Sequence, residues 1–287
     1  MELALPKTIN PLSATKFEPY QLAYVEENKE SLNTKKSYEA DLRIFAAWLQ
    51  RQGLKAESLI EKDFVSFFME IKEGRKISTL NRYRASLSQQ YYNILNTKDM
   101  KVFFKALRNE KSSPFKPSKP LLRDDLIKIM EGIKSDKYRF LLILQYKGCS
   151  RISEVLNLRV KEVTYDDEGL KVYYKETKTN KEGITKGLKN NGFDLAGMFK
   201  KHVKTNKLSH DDKLFNLTRS GVLKWIKKNI GEEYSTHSLR SGSITQSIMD
   251  GKPMPKIMKS SGHKSATTLI NHYYEPLNIF DNTSDVI

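Results

Sequence analysis

Gly148-Cys149-Ser150-Arg151-Ile152-Ser153-Glu154-Val155-Leu156-Asn157-Leu158 places an arginine and a glutamate three positions apart in a run otherwise rich in apolar residues. On a helix this spacing puts Arg151 and Glu154 on one face and turns Ile152, Val155 and Leu156 inward. An arginine that grips a phosphate needs a carboxylate to fix its fork, and Glu154 could supply it. Taken alone, the pair reads as an ordinary surface ion pair. Its meaning depends on what stands elsewhere in the chain.

Downstream, His237-Ser238-Leu239-Arg240 repeats the i, i+3 geometry at a helix start, with Leu239, Ile244 and Ile248 facing the core. Gly242 leaves room for another backbone or for DNA. With Arg151, Arg240 would complete a two-guanidinium clamp for a phosphate that gains charge during reaction. Ser261-Gly262-His263 is a tight turn able to project an imidazole, although a lone histidine there is more often structural. Tyr273 and Tyr274 end a short helix beginning beside His263. A phenol, with a pKa of about 10 in water, needs a base and a positive field before it attacks phosphorus. His237 could take that proton, and both arginines would ease formation of the phenolate. Lys178, in Thr177-Lys178-Thr179, is a mobile ammonium suited to protonate a departing deoxyribose oxygen, though by itself it is one exposed lysine among many. No His-x-x-x-His motif or carboxylate cluster accompanies these residues, so neither metal nor cofactor is expected.

The composition agrees with a polyanionic partner. The chain has 287 residues, 50 Lys+Arg against 34 Asp+Glu, and a net charge of +16. Such an excess steers a protein toward nucleic acid, the bland alternative being a generally basic surface. The single cysteine, Cys149, excludes an internal disulfide and a Cys-rich zinc site, and its apolar neighbours predict a buried small hydrophobe. No apolar stretch is long enough to span a membrane, and the start lacks the pattern of a leader peptide. A cytoplasmic, nucleoid-associated protein is expected.

Periodicity predicts a mainly α fold with a small β-sheet, in two domains. Residues 14–109 read as a four-helix domain, with helices over 34–51, 60–72, 78–95 and 102–107. Phe67, Phe68 and Tyr91 are assigned to its core. The opposite face of the third helix carries Arg82 and Arg84, with Ser86, Ser88 and Gln89, and is the candidate DNA-contacting face, through phosphates rather than bases. Residues 110–120, rich in proline, serine and lysine, read as a semi-rigid linker. Within 121–287, two strands (170–175 and 184–188) interrupt a helical series.

At these residues the chain resembles the tyrosine recombinases: phage integrases, Xer-type resolvases and transposon-encoded recombinases. The matching pieces are Gly148 to Leu158, Lys178 in the ribbon, Thr236-His237-Ser238-Leu239-Arg240, Ser261-Gly262-His263-Lys264-Ser265 and Asn271-His272-Tyr273-Tyr274. Each is weak alone; their conjunction in family order is strong. The resemblance implies an N-terminal four-helix SAM-like core-binding domain and a C-terminal catalytic domain. It implies that Arg151, Arg240 and His263 bind the scissile phosphate, His237 acts as base, Lys178 as acid, and Glu154 as support. A tyrosine would form a 3′-phosphotyrosyl link without metal or ATP, in a homotetramer on two synapsed double-stranded DNA sites that exchanges strands through a Holliday junction, with accessory DNA-bending proteins possible. Integration, excision and resolution stay open, and the target sequence is not legible.

Two departures stand out. The family usually has Gly-x-Arg, whereas here two residues separate Gly148 from Arg151. The usual Gly-His to tyrosine spacing favours Tyr273 over Tyr274. The absence of an arm-binding domain before Phe17 favours a simpler, Xer-like architecture. The apolar tail after Pro276 is expected to dock on a neighbouring protomer or pack in cis. Two rival readings are an inactive DNA-binding or architectural protein of this fold and a relaxase resembling the type IB topoisomerases.

Overall fold

The computed structural model describes residues 32–111, 119–175 and 182–274. The chain divides into two compact units, Met1–Phe115 and Lys116–Ile287. Lys178, most of the expected linker and the tail after Tyr274 lie outside the described residues.

The first unit is helical: α1 (Leu32–Gln52), α2 (Glu61–Ile71), α3 (Ile77–Leu95) and α4 (Lys98–Lys111). Four apolar stripes meet in one core, where Phe45, Trp48, Phe64, Phe67, Phe68 and Phe104 are all nearly inaccessible. Their rings interlock edge to face, Phe68 on Phe104 at 4.9 Å and Phe45 on Phe67 at 4.9 Å, an arrangement favoured by the ring quadrupoles. Tyr91 is only partly buried, packing on Phe45 and Phe64 where α3 leaves helical geometry. α4 is longer than the apolar pattern over 102–107 predicts, because its last turn is polar and its first sets one core residue, Met100, among polar ones. Ser86, expected on the polar face of α3, is fully buried and donates to the Tyr83 carbonyl. A backbone acceptor one turn back makes that burial affordable.

The second unit comprises α5 (Arg123–Gly132), α6 (Asp136–Lys147), α7 (Ile152–Leu156), β1 (Val163–Asp166), β2 (Gly169–Tyr174), β3 (Ile184–Lys189), α8 (Leu195–Thr205), α9 (Arg219–Asn229), α10 (Ser238–Met249), α11 (Met254–Ser261) and α12 (Ala266–Leu269), closed by a π-helical turn, Ile270–Tyr274. The sheet is antiparallel in the order β1-β2-β3, with Val172 opposite Lys186. The expected β2–β3 ribbon is present; β1 is additional, a four-residue strand burying only Val163. The mainly α chain with a small sheet is therefore as the sequence predicts. α6 is the central helix, burying Phe140 through Gln145 without a break. Gly242 on α10 shows why it carries no side chain: a Cβ there would lie 1.8 Å from the Leu121 carbonyl oxygen. The close neighbour is thus another backbone, and Leu121 N–H bonds to the Ser238 carbonyl at 3.0 Å. Among the described residues no helix is long and apolar enough to cross a membrane.

Candidate active site

The turn between α6 and α7 is where the site begins. Gly148 is packed so closely that a Cβ would meet the Leu144 carbonyl, the Ser150 hydroxyl and the Tyr174 hydroxyl, each at 2.9 Å. Cys149 adopts a left-handed conformation (φ 49°) and is buried. This allows the extra residue between Gly148 and Arg151 to be absorbed in a tight turn, held by Ser150 N–H to the Gln145 carbonyl at 3.0 Å. Arg151 stands one residue ahead of α7 in extended geometry rather than on the helix, as the spacing alone had suggested. Glu154 still reaches it: one carboxylate oxygen accepts the Arg151 backbone N–H at 2.9 Å, the other accepts Nη1 at 2.8 Å. With the Glu154 side chain only 7 % exposed, this is a partly buried clamp, not a loose surface pair.

Arg240 is 1 % exposed, the largest fully buried side chain described. Its Nη1 donates to the Cys149 carbonyl at 2.7 Å and Nη2 to the Ser261 carbonyl at 2.5 Å. Two backbone oxygens thus fix the guanidinium plane without neutralising its charge. Isolating a charge this way is costly and is characteristic of sites that must bind an anion.

His237 caps the start of α10, ahead of the Arg240 turn. The loop before it is tethered by Gln145, whose buried amide donates to the Thr236 carbonyl at 2.7 Å. Desolvation, and then Arg240, Arg151 and Arg219, hold His237 below the ordinary histidine range although part of the residue is exposed. It is therefore neutral near pH 7 and can accept a proton. His263 follows Gly262, which ends α11 in left-handed geometry (φ 70°). Burial first, then Arg240 and Arg151, push its pKa down to about 4. Its Nδ1 lies 2.8 Å from the Ser261 hydroxyl.

Tyr273 packs in a small apolar cluster with Cys149, Ile244, Ile257 and Leu269. Its ring is 6.0 Å from that of His263. Burial raises its pKa, against the opposing pull of Arg240 and Arg151, so the phenol is protonated at rest and needs a base. Arg151, Glu154, His237, Arg240, His263 and Tyr273 thus gather in one unit around the α6–α7 turn, from segments far apart in sequence. Among the described residues no cluster of three or more His, Cys, Asp or Glu could hold a metal ion.

Arg82 and Arg84, in the other unit, are already engaged. Arg82 grips buried Asp41 through Nε at 2.8 Å and Nη2 at 2.7 Å. The Arg84 guanidinium lies over the Phe104 ring at 4.3 Å.

One residue that the sequence reading passed over belongs to the site. Lys186 on β3 donates from Nζ to the Gly148 carbonyl at 2.7 Å and approaches the Ser150 hydroxyl at 3.4 Å. The signal was available: Ile184, Lys186 and Leu188 alternate on one strand face, so a lysine occupies a position that period two assigns to the core.

Comparisons with known proteins bear on the family and the fold. The model of the phage integrase family matches residues 120–278, and that of the phage integrase N-terminal SAM-like domain matches residues 19–98. The chain is 20 % identical to the integrase/recombinase xerD homolog of Selenomonas ruminantium, covering 90 % of this chain and 86 % of that protein. It is 24 % identical to the tyrosine recombinase XerC of Staphylococcus carnosus, covering 83 % and 85 %. Among solved structures, the XerH recombinase bound to difH DNA before cleavage superposes with a TM-score of 0.66 at 18 % identity, covering 93 % of this chain and 85 % of that one. The Tn1549 transposon integrase bound to transposon right-end DNA gives 0.65 at 18 % identity, covering 88 % and 93 %. The chain belongs to the phage integrase family of tyrosine recombinases.

Proposed function

We propose that this protein is a site-specific DNA recombinase that cuts and rejoins strands through a 3′-phosphotyrosyl intermediate, without metal or ATP. The observation that carries the reading is Arg240, fully buried yet bonded, among the described residues, to two neutral carbonyls. Such a charge is complementary to a phosphate that enters the site and becomes more negative as it reacts. Arg151, oriented by Glu154, supplies the second guanidinium. His263 is anchored through Nδ1, and its Nε2 serves the same phosphate as a donor once the ring gains a proton or the Ser261 hydroxyl turns toward Nδ1.

In the reaction, the Tyr273 phenol oxygen attacks phosphorus and its proton passes to neutral His237. The bond from phosphorus to the 5′ oxygen breaks, and Lys178 gives that oxygen its proton. The products are a 3′-phosphotyrosine and a free 5′ hydroxyl. Because the ester bond energy is retained, attack by the 5′ hydroxyl of a second duplex reverses the chemistry and joins new partners. Four protomers on two synapsed sites would exchange one pair of strands at a time through a Holliday junction. The XerH and Tn1549 proteins named above are seen bound to their own DNA sites, which supports duplex DNA as the partner here.

A two-site assay in the presence of chelator tests the reading, using DNA that flanks the protein's own gene. Recombinant joints are expected. Relaxation of supercoils without joints would point instead to a type IB-like relaxase. Tight binding with neither product would point to an inactive binding protein.

A further inference from the structure

The turn from Gly148 to Ser150 presents two consecutive carbonyls, and each is held by a different cation. Lys186 Nζ takes the Gly148 carbonyl at 2.7 Å and Arg240 Nη1 takes the Cys149 carbonyl at 2.7 Å. The Ser150 hydroxyl, fully buried, donates to the Gly148 carbonyl at 3.0 Å and faces Lys186 at 3.4 Å. The Tyr174 ring lies 5.1 Å from the same ammonium. Lys186 is thus surrounded by a carbonyl, a hydroxyl and an aromatic ring, and among the described residues no ion pair with a carboxylate accompanies them. The next residue after this turn is Arg151.

We propose that Lys186 is a positioning residue that pins the Gly148–Ser150 turn and so sets the spacing of Arg151 from Arg240. The proposal rests on the recombinase reading for its functional consequence, though not for its structural one. A turn with one residue more than Gly-x-Arg, passing through a left-handed Cys149, has a conformation that local preference does not specify. Its amides are tied back to α6, and two cations on adjacent carbonyls fix its other side. Arg151, Arg240 and Lys186 against Glu154 also leave this part of the site with a net positive charge of two. That matches the doubly negative pentacoordinate phosphorus better than the singly negative diester. Burial, and to a lesser degree Arg240 and Arg151, also lowers the Lys186 pKa, against the opposing pull of Glu154.

Hydrogen exchange of the free protein tests the pinning without any DNA. In Lys186→Met, the amides of 148–154 should exchange about 10-fold faster or more, with those of α9 unchanged. Equal exchange in the two proteins would overturn the proposal. If Lys186→Met does not fold, Lys186→Gln, which keeps a donor for the Gly148 carbonyl and loses the charge, takes its place and should loosen the turn less.

Cleavage of nicked DNA from beside the gene tests the consequence. Lys186→Met should form the covalent adduct about 100-fold more slowly, with Lys186→Arg recovering most of the rate. Combined with Arg151→Lys, the two losses should fail to multiply, since one residue acts through the other. Replacing the scissile 5′ oxygen by sulfur, which leaves without a proton, should rescue Lys178→Met and not Lys186→Met. Rescue of Lys186→Met would make it the acid itself and overturn the positioning role, as would multiplicative losses. Absence of an adduct from the unmodified protein would count against the recombinase reading, and the exchange result would still decide the pinning.

Discussion

Ser261 holds two members of the site at once: its backbone carbonyl accepts from Arg240 at 2.5 Å, and its hydroxyl sits 2.8 Å from Nδ1 of His263. That hydroxyl also lies 2.7 Å from the Ile257 carbonyl. A hydroxyl has one proton, and a carbonyl can only accept. The proton therefore goes to Ile257, the hydroxyl accepts from His263, and the neutral ring carries its hydrogen on Nδ1. Nε2 is then an acceptor in the free protein. It becomes a donor to phosphate when the ring gains a proton or the serine hydroxyl turns toward Nδ1.

Nitrogen-15 shifts of the His263 ring test this assignment. The free protein should show the Nδ1–H tautomer, and Ser261→Ala should move the ring toward Nε2–H. An Nε2–H tautomer in the unmodified free protein would contradict the assignment.

Acid should destabilise the second unit in a defined window. The His263 pKa falls from 6.5 to about 4 on folding, and His237 and His202 are also lowered, in each case mainly by burial. The unfolded chain therefore takes up protons first as pH drops. The stability associated with neutral His263 is complete above pH 6.5, is lost between 6.5 and about 4, and changes no further below that. Melting temperatures across this range should fall, and less steeply in His263→Asn. Identical slopes in the two proteins would show that His263 is not desolvated.

Glu154→Ala should cost stability as well as rate. The carboxylate satisfies the Arg151 backbone N–H and Nη1, and its loss strands both at a partly buried place. Urea unfolding should register a loss of about 2 kcal/mol. Adduct formation should slow while DNA affinity changes little, because Arg151 keeps its charge and loses only its orientation.

Gly242→Ala should be among the more damaging single-carbon additions. The new methyl would meet Leu121 backbone atoms, which cannot move aside as a side chain would. A loss of about 2–3 kcal/mol is expected in urea unfolding. A loss within about 0.5 kcal/mol would mean that the segment around Leu121 shifts freely.

Arg82 should prove structural. With Nε and Nη2 both on buried Asp41, its removal leaves a carboxylate stranded in the first unit. Arg82→Ala should lower the melting temperature and leave the salt dependence of DNA binding unchanged. A salt slope reduced by about one counterion would instead mark a direct phosphate contact.

Much of this was legible in the sequence because helical periodicity is strong where one face is apolar. The stripes around Phe64, Phe67 and Phe68 and around Leu239 and Ile244 gave their helices directly. Motif order pointed to Arg151, His237, Arg240, His263 and Tyr273, which the fold brings together. What stayed hidden depends on tertiary contacts. Ser86 reads as polar surface, yet its bond to Tyr83 lets it be buried. Arg82 reads as a free cation until Asp41, 41 positions away, is placed beside it. β1 is too short for its alternation to register. Lys186 carries no motif and lysines are usually exposed, so only its place in the alternation of β3 points inward.

Tyr273 is proposed to attack phosphorus in a field set by Arg151 and Arg240. The most direct test is to trap the protein on nicked DNA from beside its gene, in chelator, then digest it and sequence the nucleotide-linked peptide. A covalent link at Tyr273 is expected, absent in Tyr273→Phe and strongly reduced in Arg240→Ala. A link at another residue, or tight binding with no link under these conditions, would contradict it.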